Sequence, residues 1–159
     1  MTGGETGRDD APSPADGRHA DPTDLDAIVF DAEPLVAYGC DEPGSDLVEQ
    51  YLTAVERGTP GYVSTVTLTE LHYVVRAIAT ERRADTMVDV FEESGVRRVD
   101  TAETWRAAAR FKHRYSPALG DAFALATAAH VDGTLLVGAD DDYDDVTDVS
   151  VVRMRTDGV

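Results

Sequence analysis

From Leu25 onward, short apolar runs alternate with longer amphipathic stretches. Ala27-Ile28-Val29-Phe30 is an unbroken apolar run closed by Asp31, the pattern of a short buried strand. Pro34 suits the first turn of a short helix that continues to Tyr38. Pro43-Gly44-Ser45 breaks the chain and offers Ser45 as the cap of a helix reaching about Arg57. After a turn from Gly58 to Gly61, Tyr62 to Val66 reads as a second strand. Thr67 then reads as the cap of a helix whose apolar side carries Leu68, Leu71, Val75 and Ile78. Another helix covers about Ala84 to Glu93, Gly95 ends it, and Val96 to Val99 is a third strand. Thr101 caps a helix to about Tyr115, with Trp105, Ala108, Ala109 and Lys112 at helical spacing.

From Ala118 to Val131 only Asp121, Thr127 and His130 interrupt an apolar or small sequence, so this helix is expected to be buried nearly all round. Gly133 stops it. Thr134 to Val137 is the most apolar strand, followed by an aspartate-rich loop and a last strand near Val149 to Met154. Strands separated by helices predict a three-layer α/β/α domain with a mostly parallel central sheet, spanning residues 25–155. Residues 1–24 hold Gly, Asp, Pro and Ser with scarcely an apolar side chain, and a disordered tail is expected there.

A chain of 159 residues with 42% hydrophobic content can bury the core of one domain. No apolar run is long enough to span a bilayer, and the N-terminus lacks the basic-then-apolar pattern of a secretory signal. Cys40 is the single cysteine, so no internal disulfide forms and a cytoplasmic setting is expected. The formal net charge is −17, from 31 acidic residues against 14 basic ones, of which only Lys112 is lysine. Disorder does not account for such acidity in a chain with this much patterned apolar sequence. A carboxylate-covered surface suited to concentrated salt does, because at molar salt the Debye length falls to about 3 Å and self-repulsion is screened. Read as halophilic, the acidity does not exclude a nucleic-acid partner.

Four acids stand out from this background by position: Asp31, Glu70, Asp121 and Asp140. In open α/β sheets, sites form beyond the carboxyl ends of the strands, where Asp31 and Asp140 are expected. Loop aspartates are common after strands, so neither is decisive alone. Asp121 opens a helix apolar enough to lie in the core; the alternative, a first-turn acid favoured by the helix dipole and worth about 0.3–1 kcal/mol, suits a surface helix better. Glu70 is expected in the first turn of its helix, where acids are favoured anyway. Carboxylates gathered at one sheet end repel one another, and Mg²⁺ or Mn²⁺, which favour oxygen ligands, is the usual remedy. Such ions polarise a phosphodiester and orient a water for in-line attack.

The residues around these acids resemble the motifs of PIN-domain nucleases. Asp31-Ala32-Glu33-Pro34-Leu35-Val36-Ala37-Tyr38 is similar to the first, Thr67-Leu68-Thr69-Glu70-Leu71 to the second, and Leu119-Gly120-Asp121-Ala122-Phe123-Ala124-Leu125-Ala126 to the third. Leu135-Leu136-Val137-Gly138-Ala139-Asp140-Asp141-Asp142-Tyr143 is similar to the fourth. The order is right, over roughly Leu25 to Met154, and VapC-type toxins of toxin–antitoxin pairs are the nearest in pattern. The resemblance implies Mg²⁺- or Mn²⁺-dependent cleavage of RNA, with Asp31, Glu70, Asp121 and Asp140 around the metal and Asp142 as an accessory acid. It also implies a cognate antitoxin protein and a homodimer. Two positions depart from the family's pattern: Gly138 stands where a Ser or Thr is common, and Ala32 where a Thr or Ser follows the first Asp. Each removes a hydroxyl that would orient a ligand or phosphate.

Rival readings fit less well. Asp140, Asp142 and Asp144 imitate the start of a calcium loop, which wants Gly where Asp145 stands and Glu where Val151 stands. A haloacid-dehalogenase-type phosphatase needs an Asp where Glu33 stands and a well-placed lysine, for which Lys112 is the only candidate. A PIN-like fold kept only as a binding module would be expected to have lost one or more of the four acids, and none is lost; a PIN-domain nuclease of RNA processing or quality control without a toxin role is the other alternative. His72, His113 and His130 lie at no metal-binding spacing. Cys40 is expected as a small apolar filler, and Trp105 in the core or at a subunit contact. Most of the basic residues lie between Arg76 and Arg114, and Arg76, Arg82, Arg83, Arg106, Arg110 and Arg114 are candidates for RNA phosphates, with ion pairing on an acidic surface as the alternative.

Overall fold

The computed structural model describes residues 20–154, so residues 1–19, where most of the expected tail falls, and residues 155–159 lie outside the described residues. The structure begins ahead of Leu25, with a 3-10 turn at Pro22–Asp24 capped by the Asp21 carboxylate. Five strands follow: β1 (Ile28–Phe30), β2 (Gly61–Ser64), β3 (Val96–Val99), β4 (Thr134–Val137) and β5 (Val151–Arg153). Six helices connect them: α1 (Ala32–Gly39), α2 (Ser45–Glu56), α3 (Thr65–Ile78), α4 (Glu81–Glu93), α5 (Thr101–Tyr115) and α6 (Leu119–Val131).

Every pairing in the sheet is parallel, in the order β3-β2-β1-β4-β5. Parallel strands are covered on both faces, and successive side chains alternate between two separate cores. Ile28, Phe30, Val63 and Leu136 join Leu35, Val48, Tyr51, Leu71 and Phe91 of α1–α4 on one face. Val29, Leu135 and Val137 meet Ala108 and Phe111 of α5 and Ala122 and Leu125 of α6 on the other. The three expected layers are therefore present. As expected, α6 is buried nearly all round, from Ala122 through Leu125 to Ala128. Among the described residues no helix is long and apolar enough to cross a membrane.

The strand order matters for the site. After β1 the chain builds β2 and β3 to one side, then returns to place β4 and β5 on the other. The reversal lies between β1 and β4, which pair with Phe30 opposite Leu136. At such a switch point the loops part and leave a crevice beyond the carboxyl ends of the strands.

Several helix starts differ from expectation. β2 stops at Ser64, whose side chain accepts a hydrogen bond from the Val66 N–H at 3.1 Å and so caps α3; Thr67 lies inside the helix. Thr65-Val66-Thr67 are β-branched and continue the strand pattern, but the capping hydroxyl and the Thr65 hydroxyl on the Val99 carbonyl (3.2 Å) turn the chain earlier. Gly44, at φ 96°, is the cap position of α2 in place of Ser45. Thr80 caps α4 through the Arg83 N–H, which starts that helix at Glu81 and not near Ala84. Asp100 precedes α5, so Thr101 is its first residue and not its cap. Trp105 is 52% exposed, because the buried face of α5 is Thr104, Ala108 and Phe111 and Trp105 lies one step round from it. Ile78, the last residue of α3, is 62% exposed beyond the buried Val75, and Cys40 is exposed too.

Candidate active site

Asp31 stands at the hinge between β1 and α1. Its own N–H donates to the Leu136 carbonyl at 3.0 Å, which extends the sheet pairing by one residue and fixes the carboxylate at the crevice. The side chain caps α1, with Oδ1 accepting from the Ala32 N–H at 2.8 Å, and Oδ2 accepts from the Tyr143 hydroxyl at 2.7 Å. Among the described residues Asp31, at 7% exposure, is the one charged side chain that is buried. Burial raises its pKa to about 6; the two hydrogen bonds oppose the shift, and the charges of Glu70 and Glu33 add to it.

Asp121 comes from the first turn of α6, and Asp140 and Asp142 from the 3-10 turn that follows β4, where Asp140 accepts from the Asp142 N–H at 3.1 Å. One carboxylate oxygen from each of Asp121, Asp140 and Asp142 lies within 4.8 Å of the others. Burial raises the pKa of Asp121 to about 7, with the Asp31 charge as the next cause. Its Oδ2 is buried with no hydrogen-bond partner. Glu70 approaches from α3: a Cβ on Gly120 would lie 2.7 Å from its Oε2, so the carboxylate rests against the start of α6, and burial raises its pKa. Because α3 begins at Thr65, Glu70 lies in the second turn and not the first, which weakens the helix-dipole account of this acid.

The structure thus brings all five predicted acids to one crevice, with Asp121, Asp140 and Asp142 as the tightest group and Asp31 and Glu70 beside it. The donor set is oxygen only, it includes a buried oxygen without a partner, and the charges of Asp31 and Asp142 add to the raised pKa of Asp121 as that of Glu70 does to Asp31. Such a set fits a hard divalent cation, which would offset the mutual repulsion and take up the unpartnered oxygen.

Three supporting residues escaped the sequence reading. Tyr143, at the end of the fourth motif, is buried and fastens Asp31 through its hydroxyl; only its aromatic character was legible. Arg153, at the end of β5, donates to the Asp140 carbonyl and to the Asp144 carboxylate, and so holds the acidic turn against the sheet. Lys112 donates to the Pro117 carbonyl in the link between α5 and α6, just ahead of Asp121. The arginines stand apart from this group in their contacts. Arg76 pairs with Glu81 at 3.1 Å, Arg83 donates to the Gly39 carbonyl at the far end of α1, and Arg114 pairs with Asp148. Arg106 lies over the Trp105 ring, while Arg82 and Arg110 are exposed.

Fold and site together define an α/β protein with a carboxylate centre at the switch point of a parallel sheet. The family model of the PIN domain matches residues 28–149, and the chain belongs to the PIN-domain family. A comparison with curated proteins gives no match. Among solved structures, the chain is similar in fold to a chain of VapBC2 from Rickettsia felis bound to a DNA fragment from its promoter. That likeness has a TM-score of 0.66 and 14% identity over 80% of this chain and 98% of the other. A toxin–antitoxin complex from Klebsiella pneumoniae gives a TM-score of 0.61 and 19% identity, covering 80% and 98%. A DNA-bound VapBC from Salmonella typhimurium gives 0.63 and 10%, covering 81% and 98%.

Proposed function

We propose that the protein is a divalent-metal-dependent endoribonuclease and the toxin of a toxin–antitoxin pair. The observation that carries the reading is the carboxylate cluster at the β1/β4 switch point, with the unpartnered Oδ2 of Asp121 inside it. Asp121, Asp140 and Asp142 would hold Mg²⁺ or Mn²⁺, with Asp31 and Glu70 completing the anionic surroundings. A metal ion bound there supplies Lewis-acid activation of a water and of a phosphodiester. Asp31 is held by Ala32 and Tyr143 with one hydrogen bond on each oxygen, which fixes the orientation of its carboxylate. RNA is the substrate this reading implies, with Arg76, Arg82, Arg83, Arg106, Arg110 and Arg114 as its phosphate contacts.

The toxin role is supported by the fold likeness to chains of toxin–antitoxin complexes, and implies an antitoxin partner, a cytoplasmic setting and a homodimer, for which exposed Trp105 and Leu119 offer apolar surface. Purified protein in molar KCl should cleave RNA with Mn²⁺ or Mg²⁺, and Asp31→Asn should abolish cleavage. If Asp31→Asn and Asp121→Asn cut as well as the unaltered protein, the site assignment is wrong. Growth arrest on induced expression, relieved by a neighbouring small gene, tests the toxin role; its absence removes that role and leaves the nuclease.

A further inference from the structure

Glu33 and Gly138 occupy one volume of the site between them. Glu33 lies two residues after Asp31 in the first turn of α1, and Gly138 two residues before Asp140, directly after β4. A Cβ built on Gly138 would fall 1.8 Å from Oε2, 1.9 Å from Cδ and 2.5 Å from Oε1 of Glu33. The Glu33 carboxyl group therefore fills the space that any side chain at 138 would take. Gly138 is not among the glycines at positive φ, so the need for glycine here is one of space and not of backbone conformation. Asp31 and Leu136 are bonded across β1 and β4, which places this volume between the two strand ends that carry Asp31 and Asp140. The Glu33 charge is felt at Asp31.

We infer that Glu33 and Gly138 are a complementary pair: the missing side chain at 138 admits the Glu33 carboxylate to the metal-binding crevice, where it acts as a positioning acid in place of a hydroxyl from residue 138. The inference rests on the metal reading of the site. It accounts for the departure at Gly138 without loss of function, since the anionic oxygen supplied from α1 takes over the vacated position. It also makes the two residues interdependent. Glu33 ends in a flexible side chain, so a methyl group at 138 displaces the carboxylate and leaves the backbone in place.

The test is Mn²⁺ binding to the full chain in molar KCl, followed by electron paramagnetic resonance or calorimetry, with the melting temperature as a check on folding. Glu33→Gln and Gly138→Ala should each weaken Mn²⁺ binding about tenfold, as loss of a residue supporting metal ligands does. Neither should lower the metal-free melting temperature by more than a few degrees. Glu33→Ala combined with Gly138→Ala should bind no more weakly than Glu33→Ala alone, because the glycine matters only through the glutamate. Unaltered Mn²⁺ affinity in Glu33→Gln overturns the proposal, as does full additivity in the double variant. Should Gly138→Ala fail to fold, Glu33→Gln decides alone. Mn²⁺ binding by the unaltered protein without any RNA cleavage would remove the ribonuclease reading and leave this pair standing; no Mn²⁺ binding at all would remove both.

Discussion

Asp31 illustrates how a buried carboxyl group weighs on the fold that holds it. Its carboxyl has a pKa of about 6 when folded against 3.8 ordinarily, so the folded state binds the proton more tightly. The stability this contributes is fully present below pH 3.8 and lost as pH rises through about 6, an effect of roughly 3 kcal/mol for a group this buried. Metal-free Asp31→Asn should therefore be more stable than the unaltered protein at pH 7, with a higher urea midpoint, and the gap should close near pH 4. Equal midpoints at pH 7 would show that burial does not strain Asp31. Tyr143 pulls the other way, since its hydrogen bond lowers the Asp31 pKa. Tyr143→Phe should keep the fold and lose about tenfold in turnover, with the acid limb of the pH–rate profile moved to higher pH. A profile that does not move would leave Tyr143 a packing residue only.

At the scale of elements, the strand and helix order was legible because buried parallel strands are short apolar runs and their helices carry a 3.6-residue period. Asp31, Asp121 and Asp140 were legible for a related reason, since each stands where such a run ends or such a helix begins; Glu70, in the second turn of α3, was legible through its motif. What was not legible depends on contacts between distant segments. Tyr143 meets Asp31 across 112 residues, Arg153 reaches back to the acidic turn, and Glu33 meets Gly138 only because β1 and β4 are neighbours. The start of α3 was misplaced because β-branched residues continued the strand pattern, while the Ser64 hydroxyl decided the turn. Ser64→Ala should then cost about 1 kcal/mol in urea unfolding, as loss of a cap does, whereas Thr67→Ala should show no capping loss. Because Glu70 rides on α3, Ser64→Ala should also lower cleavage; a full-strength enzyme would separate the cap from the site.

For the whole molecule, the net charge is −17, and among the described residues some of the cations pair with neighbouring acids, as in Arg76–Glu81, Arg98–Glu92, Arg114–Asp148 and Arg153–Asp144. Exposed pairs of this kind contribute little each, about 0–1 kcal/mol, so they do not offset the net repulsion. Screening does: the Debye length shrinks from about 10 Å at 0.1 M salt to about 3 Å at 1 M, and most of the surface acids then cease to sense one another. The melting temperature should accordingly rise steadily from 0.1 M to molar KCl. Two contributions can be told apart, because the crevice acids converge on one point, with Asp31 buried and Asp121 partly so, while the other surface acids do not share one site. At 0.1 M KCl, Mn²⁺ should raise the melting temperature at stoichiometric concentration, by occupying the crevice, where KCl at the same concentration does nothing. In Asp121→Asn the stoichiometric Mn²⁺ effect should vanish while the broad KCl effect persists. If instead the variant loses both, the surface charge is not what salt acts on, and a halophilic reading of this chain is wrong.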